Sequence, residues 1–274
     1  MTGWTAAPVR ANGITLNTYR TGGDRPPLVL LHGITDNGLC WKRAAQALER
    51  DYDLIMIDAR GHGRSDAPPS GYSPDDHAAD VAGVIRALGL ERPALLGHSM
   101  GAMNAATVAA NYPDLVRGLV MEDPPWQWET PTERQRTEAL AEWRQGIQEQ
   151  RSQTREALIA AKRAESPMWD PIEFDAWAES KLQTSPQVVE YITAARTPWR
   201  ELVRRIACPT LLIYADADRG GLVTPAVAEE VRRLLPNGRV VHISGAGHNI
   251  RREQFESYLA AVTAFLAEVW QSPG

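Results

Sequence analysis

The 274-residue sequence predicts an α/β fold: a mostly parallel central sheet with helices on both faces and an inserted helical subdomain. Short apolar runs without polar alternation recur along the chain, as expected of parallel strands buried on both faces. Segments with a helical pattern separate these runs, and strand–helix alternation is typical of right-handed crossovers in a parallel sheet. The alternation stops between residues 124 and 204, which indicates an insertion of a different kind.

The elements follow in order from the amino terminus. The weakly alternating segment from Val9 to Tyr19 predicts a β-ribbon that turns at Asn12-Gly13, a hairpin signal. The apolar runs predict further strands at 27–32, 53–58, 94–97, 116–121, 210–214 and 239–243. Helical patterns predict helices at 41–48, 74–88, 99–111, 225–235 and 251–270. Pro74 suits a first helical turn, and Thr224 suits an N-cap.

The interrupted stretch has no β-branched run and is rich in Glu, Arg, Gln and Ala, which favour helix. We therefore divide the chain into a core, residues 1–123 and 205–274, and a helical insert, residues 124–204. Repeats and low-complexity tracts are absent from the sequence.

Tryptophan is concentrated in the insert, which holds six of the nine in the chain: Trp126, Trp128, Trp143, Trp169, Trp177 and Trp199. One interpretation is that they form a small core of the insert itself. The other, favoured for the group as a whole, is that some of them line a pocket. An insert that leaves the carboxyl edge of a parallel sheet covers the usual ligand crevice. Trp126, Trp128 and Met103 are the residues expected in that pocket.

Composition limits the class of protein. Hydrophobic residues make up 43% and charged residues 23%, which excludes a disordered chain, a collagen-like repeat and a coiled coil. The formal charge of −5 gives no reason to expect a nucleic-acid partner. Cys40 and Cys208 are too few for a disulfide scaffold and are interpreted as buried thiols of a reducing compartment, a disulfide between them being the lesser alternative.

The sequence shows neither a signal-peptide pattern nor a membrane-span pattern. The start of the chain lacks the basic and apolar stretches of a signal peptide, and no segment reaches the roughly 20 apolar residues of a membrane span. We expect a soluble, cytoplasmic protein without a membrane partner. An exposed apolar face of the insert could mediate a homodimer.

The strongest chemical signal is Gly97-His98-Ser99-Met100-Gly101, a G-x-S-x-G between an apolar run and a helical pattern. Such a turn is strained, so small residues must flank the serine two positions away on either side. It also places the hydroxyl at the positive end of a helix and leaves the next backbone N–H free to bind an oxyanion. Ser99 is therefore the candidate nucleophile.

A second element is His32-Gly33-Ile34, directly after an apolar run. The glycine lets the backbone turn the next N–H toward the mouth of the sheet. We expect the backbone N–H groups of Ile34 and Met100 to bind the oxyanion. His32 itself is interpreted as a structural, hydrogen-bonded histidine.

The candidate base is His248, in Gly245-Ala-Gly-His248 at the junction of the last strand and the last helix. A serine hydroxyl becomes a useful nucleophile when a base takes its proton, and histidine has a suitable pKa. The histidine needs a carboxylate to hold its tautomer. Asp218, which follows the run at 210–214, is favoured, and Asp123, which follows the run at 116–121, is the reserve. Asp216 could instead brace its turn.

These motifs together resemble the α/β-hydrolases, in particular serine hydrolases that carry a cap. The motifs that carry the resemblance recur in the family order: Leu31-His-Gly33, Asp58-Ala-Arg-Gly-His-Gly-Arg-Ser65, Gly97-His-Ser-Met-Gly101, Asp218 and Gly245-Ala-Gly-His248. The resemblance implies that the cap follows the sixth strand, where the tryptophan-rich insert lies.

The family pattern also bears on the acid and on the loop from Asp58 to Ser65. The resemblance implies an acid after the seventh strand in a G-x-x-D pattern, which supports Asp218, although Ala215 stands where that glycine is usual. Some relatives take the acid after the sixth strand, so Asp123 stays open. For the loop, the resemblance implies a structural role, and we expect Arg60 or Arg64 to brace it through hydrogen bonds.

The predicted reaction is hydrolysis of a small-molecule ester or lactone with an apolar substituent, through an acyl-enzyme on Ser99. Similar haloalkane dehalogenases and epoxide hydrolases carry Asp at the nucleophile position. Residues at zinc-ligand spacing and a phosphate-binding glycine loop are missing from the sequence, so we expect neither metal nor cofactor. Alternatives are C–C bond hydrolysis of a diketone, perhydrolysis with the same triad, and a small-molecule receptor on the same scaffold.

Overall fold

The computed structural model describes residues 3–126, 133–235 and 237–271, which form one eight-stranded sheet of order β1-β2-β4-β3-β5-β6-β7-β8. The strands are β1 (Thr5–Ala11), β2 (Ile14–Arg20), β3 (Pro27–Leu31), β4 (Asp53–Ile57), β5 (Ala94–His98), β6 (Gly118–Glu122), β7 (Thr210–Tyr214) and β8 (Gly238–His242). The β1–β2 and β2–β4 pairs are antiparallel, and the other neighbouring pairs are parallel. The predicted fold class is confirmed.

The opening ribbon turns where the sequence predicts. Asn12 and Gly13 have φ angles of 47° and 81°, and Ala11 pairs with Ile14 across the two-residue turn. Positive φ at both central positions is the geometry that suits the twist of a hairpin and that Asn-Gly favours.

Helices cover both faces of the sheet, and buried apolar side chains form one cluster on each face. The helices are α1 (Lys42–Leu48), α2 (Pro74–Ala87), α3 (Met100–Asn111), α4 (Glu133–Arg151), α5 (Arg155–Glu165), α6 (Pro171–Gln183), α7 (Glu190–Thr193), α8 (Trp199–Arg204), α9 (Pro225–Leu234), α10 (Ile250–Glu253) and α11 (Phe255–Gln271). Strands β4, β5 and β6 are buried along their whole length, which explains their unbroken apolar character.

Three predicted elements differ from the structure by more than one residue. The opening ribbon begins at Thr5 rather than at Val9. Strand β6 begins at Gly118 rather than at 116, because its pairing with β5 starts where Ala94 meets Gly118. The last predicted helix is two helices, α10 and α11, separated at Gln254, which has an extended φ of −132°. The side-chain amide of Gln254 donates to the carbonyl of Gly245 at 3.3 Å and so joins this break to the preceding loop.

Helices α4 to α8 lie between β6 and β7, and residues 133–204 contain no strand. One aromatic pair joins the chain just after β6 to the first residue of α8. The rings of Trp126 and Trp199 stack with centroids 5.4 Å apart and planes inclined by 8°. The boundaries of the insert at 124 and 204 stay a prediction.

Both cysteines are free thiols. Cys40 is buried as predicted, whereas Cys208 is partly exposed. Burial raises the pKa of each thiol to about 11, so neither forms a reactive thiolate near neutral pH. In the described part of the chain, no helix is both long enough and apolar enough to cross a membrane.

Candidate active site

Ser99 occupies a sharp turn between β5 and α3. Its φ and ψ angles are 52° and −117°, outside the regions that a serine ordinarily adopts. The flanking glycines make this turn sterically feasible. A Cβ on Gly97 would lie 2.2 Å from the carbonyl oxygen of Gly101, and one on Gly101 would lie 2.0 Å from that of Leu31. The local geometry is therefore the strained nucleophile turn that the G-x-S-x-G motif predicts.

Two backbone segments surround Ser99. The Ser99 N–H donates to the carbonyl of Glu122 at 2.9 Å, which ties the turn to the end of β6. On the other side, a Cβ built on Gly33 would lie 3.5 Å from the Ser99 Cβ, so the loop that continues into Ile34 lies against the serine. Met100 begins α3, and the first N–H groups of a helix lack intrahelical acceptors. Both predicted oxyanion donors therefore belong to the backbone beside Ser99.

Asp123 is the carboxylate that meets the histidine. Nδ1 of His248 lies 2.6 Å from Oδ2 of Asp123, whose side chain is completely buried. The backbone N–H groups of Leu222 and Val223 also donate to this carboxylate, at 2.8 Å and 2.9 Å. These bonds fix the orientation of Asp123 and leave the other ring nitrogen of His248 available for chemistry.

The expected pairing of Asp218 with His248 is wrong. Asp218 is exposed, in the short 3-10 turn Ala217–Arg219 beyond β7. After that turn Gly220, with φ of 96°, redirects the chain, so that backbone N–H groups reach the site from this loop instead of a carboxylate. Asp216 does brace the loops, accepting from Gly245 N–H at 2.7 Å and pairing with His242 at 2.7 Å.

His98 supports the loop that carries the candidate base, a role that sequence reasoning missed. Its Nε2 donates to the carbonyl of His248 at 2.9 Å, and the two rings lie 4.7 Å apart. Burial lowers the pKa of His98 well below its ordinary value, and the nearby Arg251 adds to the effect. His98 therefore stays neutral. Its only sequence signal was its place beside Ser99.

Three further histidines are structural. His32 uses both ring nitrogens, since Nδ1 bonds the Gly33 carbonyl at 2.8 Å and Nε2 accepts from Ala59 N–H at 3.0 Å. This arrangement confirms the interpretation of His32. Burial lowers the pKa of His62 to about 3 and that of His77 well below its ordinary value, so both are neutral.

Of the two arginines proposed to brace the loop from Asp58 to Ser65, Arg60 makes the buried ion pair. Its Nε and Nη2 donate to the two oxygens of Asp80 at 2.7 Å and 2.6 Å. Arg64 contributes its backbone N–H, which donates to Asp58 at 3.0 Å. The loop is thus fixed to helix α2, in keeping with the structural role expected of it.

The residues expected in a pocket are only partly described. Met103 and Trp126 are buried in the apolar cluster on one face of the sheet, and Trp126 also stacks on Trp199. Trp128 lies outside the described residues. Contact of these side chains with a substrate stays a prediction.

A buried ionic cluster lies behind the loop that follows β3. Its members are Asp36, Glu122, Glu173, Lys181, Arg251 and Arg252. Burial disfavours charge on Asp36, but Arg252, Lys181 and Arg251 outweigh it and hold the pKa of that carboxyl well below its usual value. This cluster could not be predicted from local sequence, because the ion pairs of Asp36 join residues 145 to 216 positions apart.

The α/β-hydrolase fold family model matches residues 26–251, and the chain belongs to this family. Over 266 residues it is 33% identical to 2-(acetamidomethylene)succinate hydrolase of Mesorhizobium japonicum, covering 92% of both chains. It is 32% identical over 266 residues to N-formylmaleamate deformylase of Pseudomonas putida, covering 94% of this chain and 95% of that protein.

A solved structure also matches this chain over almost its whole length. The crystal structure of E-2-(acetamidomethylene)succinate hydrolase matches with a TM-score of 0.79 and 30% identity, covering 96% of this chain and 99% of that one. Both curated relatives are hydrolases, and each is matched over almost its whole length. The chain is therefore a hydrolase of this fold.

Proposed function

We propose that the protein is a serine hydrolase that cleaves an acyl bond through an acyl-enzyme on Ser99. The observation that carries the proposal is the 2.6 Å pairing of His248 with the buried Asp123, beside a serine held in a strained turn. A nucleophile, a base and a group that orients the base are the three parts that such catalysis needs.

The roles follow from the bonding. Because Nδ1 of His248 faces the carboxylate of Asp123, its proton lies there and Nε2 is the basic nitrogen. Nε2 takes the proton of Ser99 as Oγ attacks the acyl carbon. The backbone N–H groups of Ile34 and Met100 bind the oxyanion of the tetrahedral intermediate.

The same groups complete the reaction. His248 gives its proton to the leaving group, and the acyl-enzyme forms as the scissile bond breaks. A water then attacks the acyl carbon, with His248 as its base, and the acid product leaves Ser99 free again. Asp123 stabilises the imidazolium that forms twice in this cycle.

The first substrate class is a carboxylic ester or lactone with an apolar substituent, supported by the tryptophans of the insert, of which Trp126 and Trp199 stack on each other. The second is an N-acyl amide. Two of the relatives support it, because both names, acetamidomethylene succinate and N-formylmaleamate, contain an acylated nitrogen. The same three side chains can hydrolyse either class of substrate. The experiment must therefore establish whether the leaving group is an alcohol or an amine.

The test is a substrate panel with Ser99→Ala as the control. The panel holds p-nitrophenyl esters of increasing acyl length, and N-acetyl and N-formyl amides of unsaturated four-carbon acids. We expect Ser99→Ala to lower kcat by about 10⁴–10⁶-fold while the protein stays folded. A variant that keeps most of the rate would overturn the proposal, and the better class of substrate identifies the bond.

A further inference from the structure

The loop after β3 contains a backbone conformation that needs external support. Thr35 has a φ of 66°, in the left-handed region that β-branched residues rarely adopt. It directly follows Ile34, whose N–H is the proposed oxyanion donor. Such a conformation persists only where the surrounding structure holds it, and it is found most often at functional sites.

The support comes from helix α6. Nζ of Lys181 lies 2.8 Å from the carbonyl oxygen of Thr35, 3.0 Å from its hydroxyl and 3.0 Å from Oδ1 of Asp36. An ammonium group has three donors, and all three bind this one loop. The hydroxyl of Thr184, just beyond the helix, shares its one proton between this carbonyl at 3.2 Å and the carbonyl of Ser180 at 2.8 Å.

Burial makes these bonds strong and specific. The side chains of Lys181 and Asp36 are 4% and 6% exposed, so water does not replace the contacts easily. The second oxygen of Asp36 accepts from Arg252 at 3.0 Å and Arg251 at 3.3 Å. Both arginines belong to α10, which begins two residues after His248. The loop is thus held between α6 and the segment that carries the base.

We propose that Lys181 is a positioning residue for the oxyanion site: it holds Thr35 in its strained conformation and thereby directs the N–H of Ile34 toward the reacting carbonyl. The inference rests on the proposed function, since it assumes that this N–H binds the oxyanion. Catalysis then depends on how α6 packs on the core.

The primary test compares Lys181→Met with Lys162→Met, the same substitution on the neighbouring helix α5. The side chain of Lys162 is 11% exposed and pairs with Glu165 at 2.8 Å instead of with the loop after β3. With the best ester of the panel, Lys181→Met should lower kcat by about 10²–10³-fold, the cost of losing one oxyanion donor, and change KM by less than about threefold. Lys162→Met should stay within about threefold of the parent rate. Thermal unfolding of both variants establishes that they are folded.

Relieving the backbone strain at Thr35 distinguishes a positioning role of Lys181 from a packing role. Glycine adopts a φ of 66° without a steric penalty, so Thr35→Gly in the Lys181→Met background should recover kcat at least about tenfold. Should Lys181→Met not fold, Thr184→Val removes a bond to the same carbonyl, and we expect kcat to fall about three- to tenfold at constant KM. A folded Lys181→Met with parental kcat overturns the proposal, and so does a loss of kcat that Thr35→Gly leaves unrepaired.

A transition-state analogue gives an independent readout. Phenylboronic acid forms a tetrahedral adduct on a reactive serine and needs the oxyanion site, so its affinity should fall with kcat in Lys181→Met and stay unchanged in Lys162→Met. If Ser99→Ala remains active, the proposed function itself fails. If Ser99→Ala is inactive but Lys181→Met is fully active, only the inference about Lys181 fails.

Discussion

Ser99 and Asp123 directly follow neighbouring strands, and both have a positive φ, of 52° and 46°, which is unusual for residues other than glycine. The residues before them, His98 and Glu122, face each other in the β5–β6 pairing. The candidate nucleophile and the candidate acid therefore lie side by side at one edge of the sheet. Each such non-glycine conformation costs about 1–3 kcal/mol, and such strain concentrates at functional sites.

The acid can be identified by a matched pair of variants. Asp123→Asn should lower kcat by about 10⁴-fold, because an amide no longer holds the required tautomer of His248. Asp218→Asn, at an exposed position beyond β7, should leave kcat within about twofold. Steady-state kinetics with one ester checks both. A larger loss in Asp218→Asn would contradict the assignment of Asp123.

Gly101, two residues after Ser99, should be indispensable for folding. A Cβ on Gly101 meets the Leu31 carbonyl at 2.0 Å, so Gly101→Ala should lower the free energy of unfolding by about 3–5 kcal/mol or prevent folding. Gly146 offers the control, because a Cβ there has nothing within 4 Å inside helix α4. Gly146→Ala should raise the free energy of unfolding by about 0.5–1 kcal/mol. Urea unfolding measures both, and equal effects would refute the steric argument.

The buried pair of Arg60 and Asp80 should behave as a unit. Both side chains are nearly inaccessible, at 5% and 4% exposed, and Arg60→Leu leaves the carboxylate without its cation. We expect a loss of about 3–5 kcal/mol in unfolding free energy. Replacing both by Leu should cost clearly less than the sum of the single changes. Additive losses in this double-mutant cycle would show that the two side chains stabilise the loop independently.

Buried neutral histidines should make the protein less stable in mild acid. Because burial lowers the pKa of His62 to about 3, the unfolded chain takes up this proton first as the pH falls below about 6.5. Unfolding free energy then falls by up to about 1.4 kcal/mol per pH unit for this residue, down to the folded pKa. His32, His77 and His98 act in the same direction, since burial lowers their pKa values as well.

The variant His62→Asn tests this linkage, because asparagine does not titrate. Urea unfolding from about pH 7.5 to about pH 4.5 should show a shallower decline of unfolding free energy in the variant than in the parent. The slope is the readout, so any uniform loss of stability in the variant does not matter. Identical slopes would mean that His62 keeps an ordinary pKa in the folded protein.

Much of the fold was predictable because its signals are local. An unbroken apolar run such as Leu28–Leu31 indicates a strand buried on both faces, and Asn12-Gly13 indicates a tight hairpin. Ser99 was predictable for the same reason, since the turn it occupies requires Gly97 and Gly101 within two residues on either side. Boundaries were less certain where pairing with a neighbour sets the first residue, as at Gly118.

The sequence by itself thus determined the sheet, the strained serine turn and the glycine-rich loop that carries His248, because each depends on steric constraints among nearby residues. Only the tertiary structure decided between Asp123 and Asp218, since both follow strands and the choice depends on which carboxylate meets the ring across the sheet edge. It likewise joined Lys181 to Thr35, 146 positions apart, through hydrogen bonds that form only when the insert packs on the core.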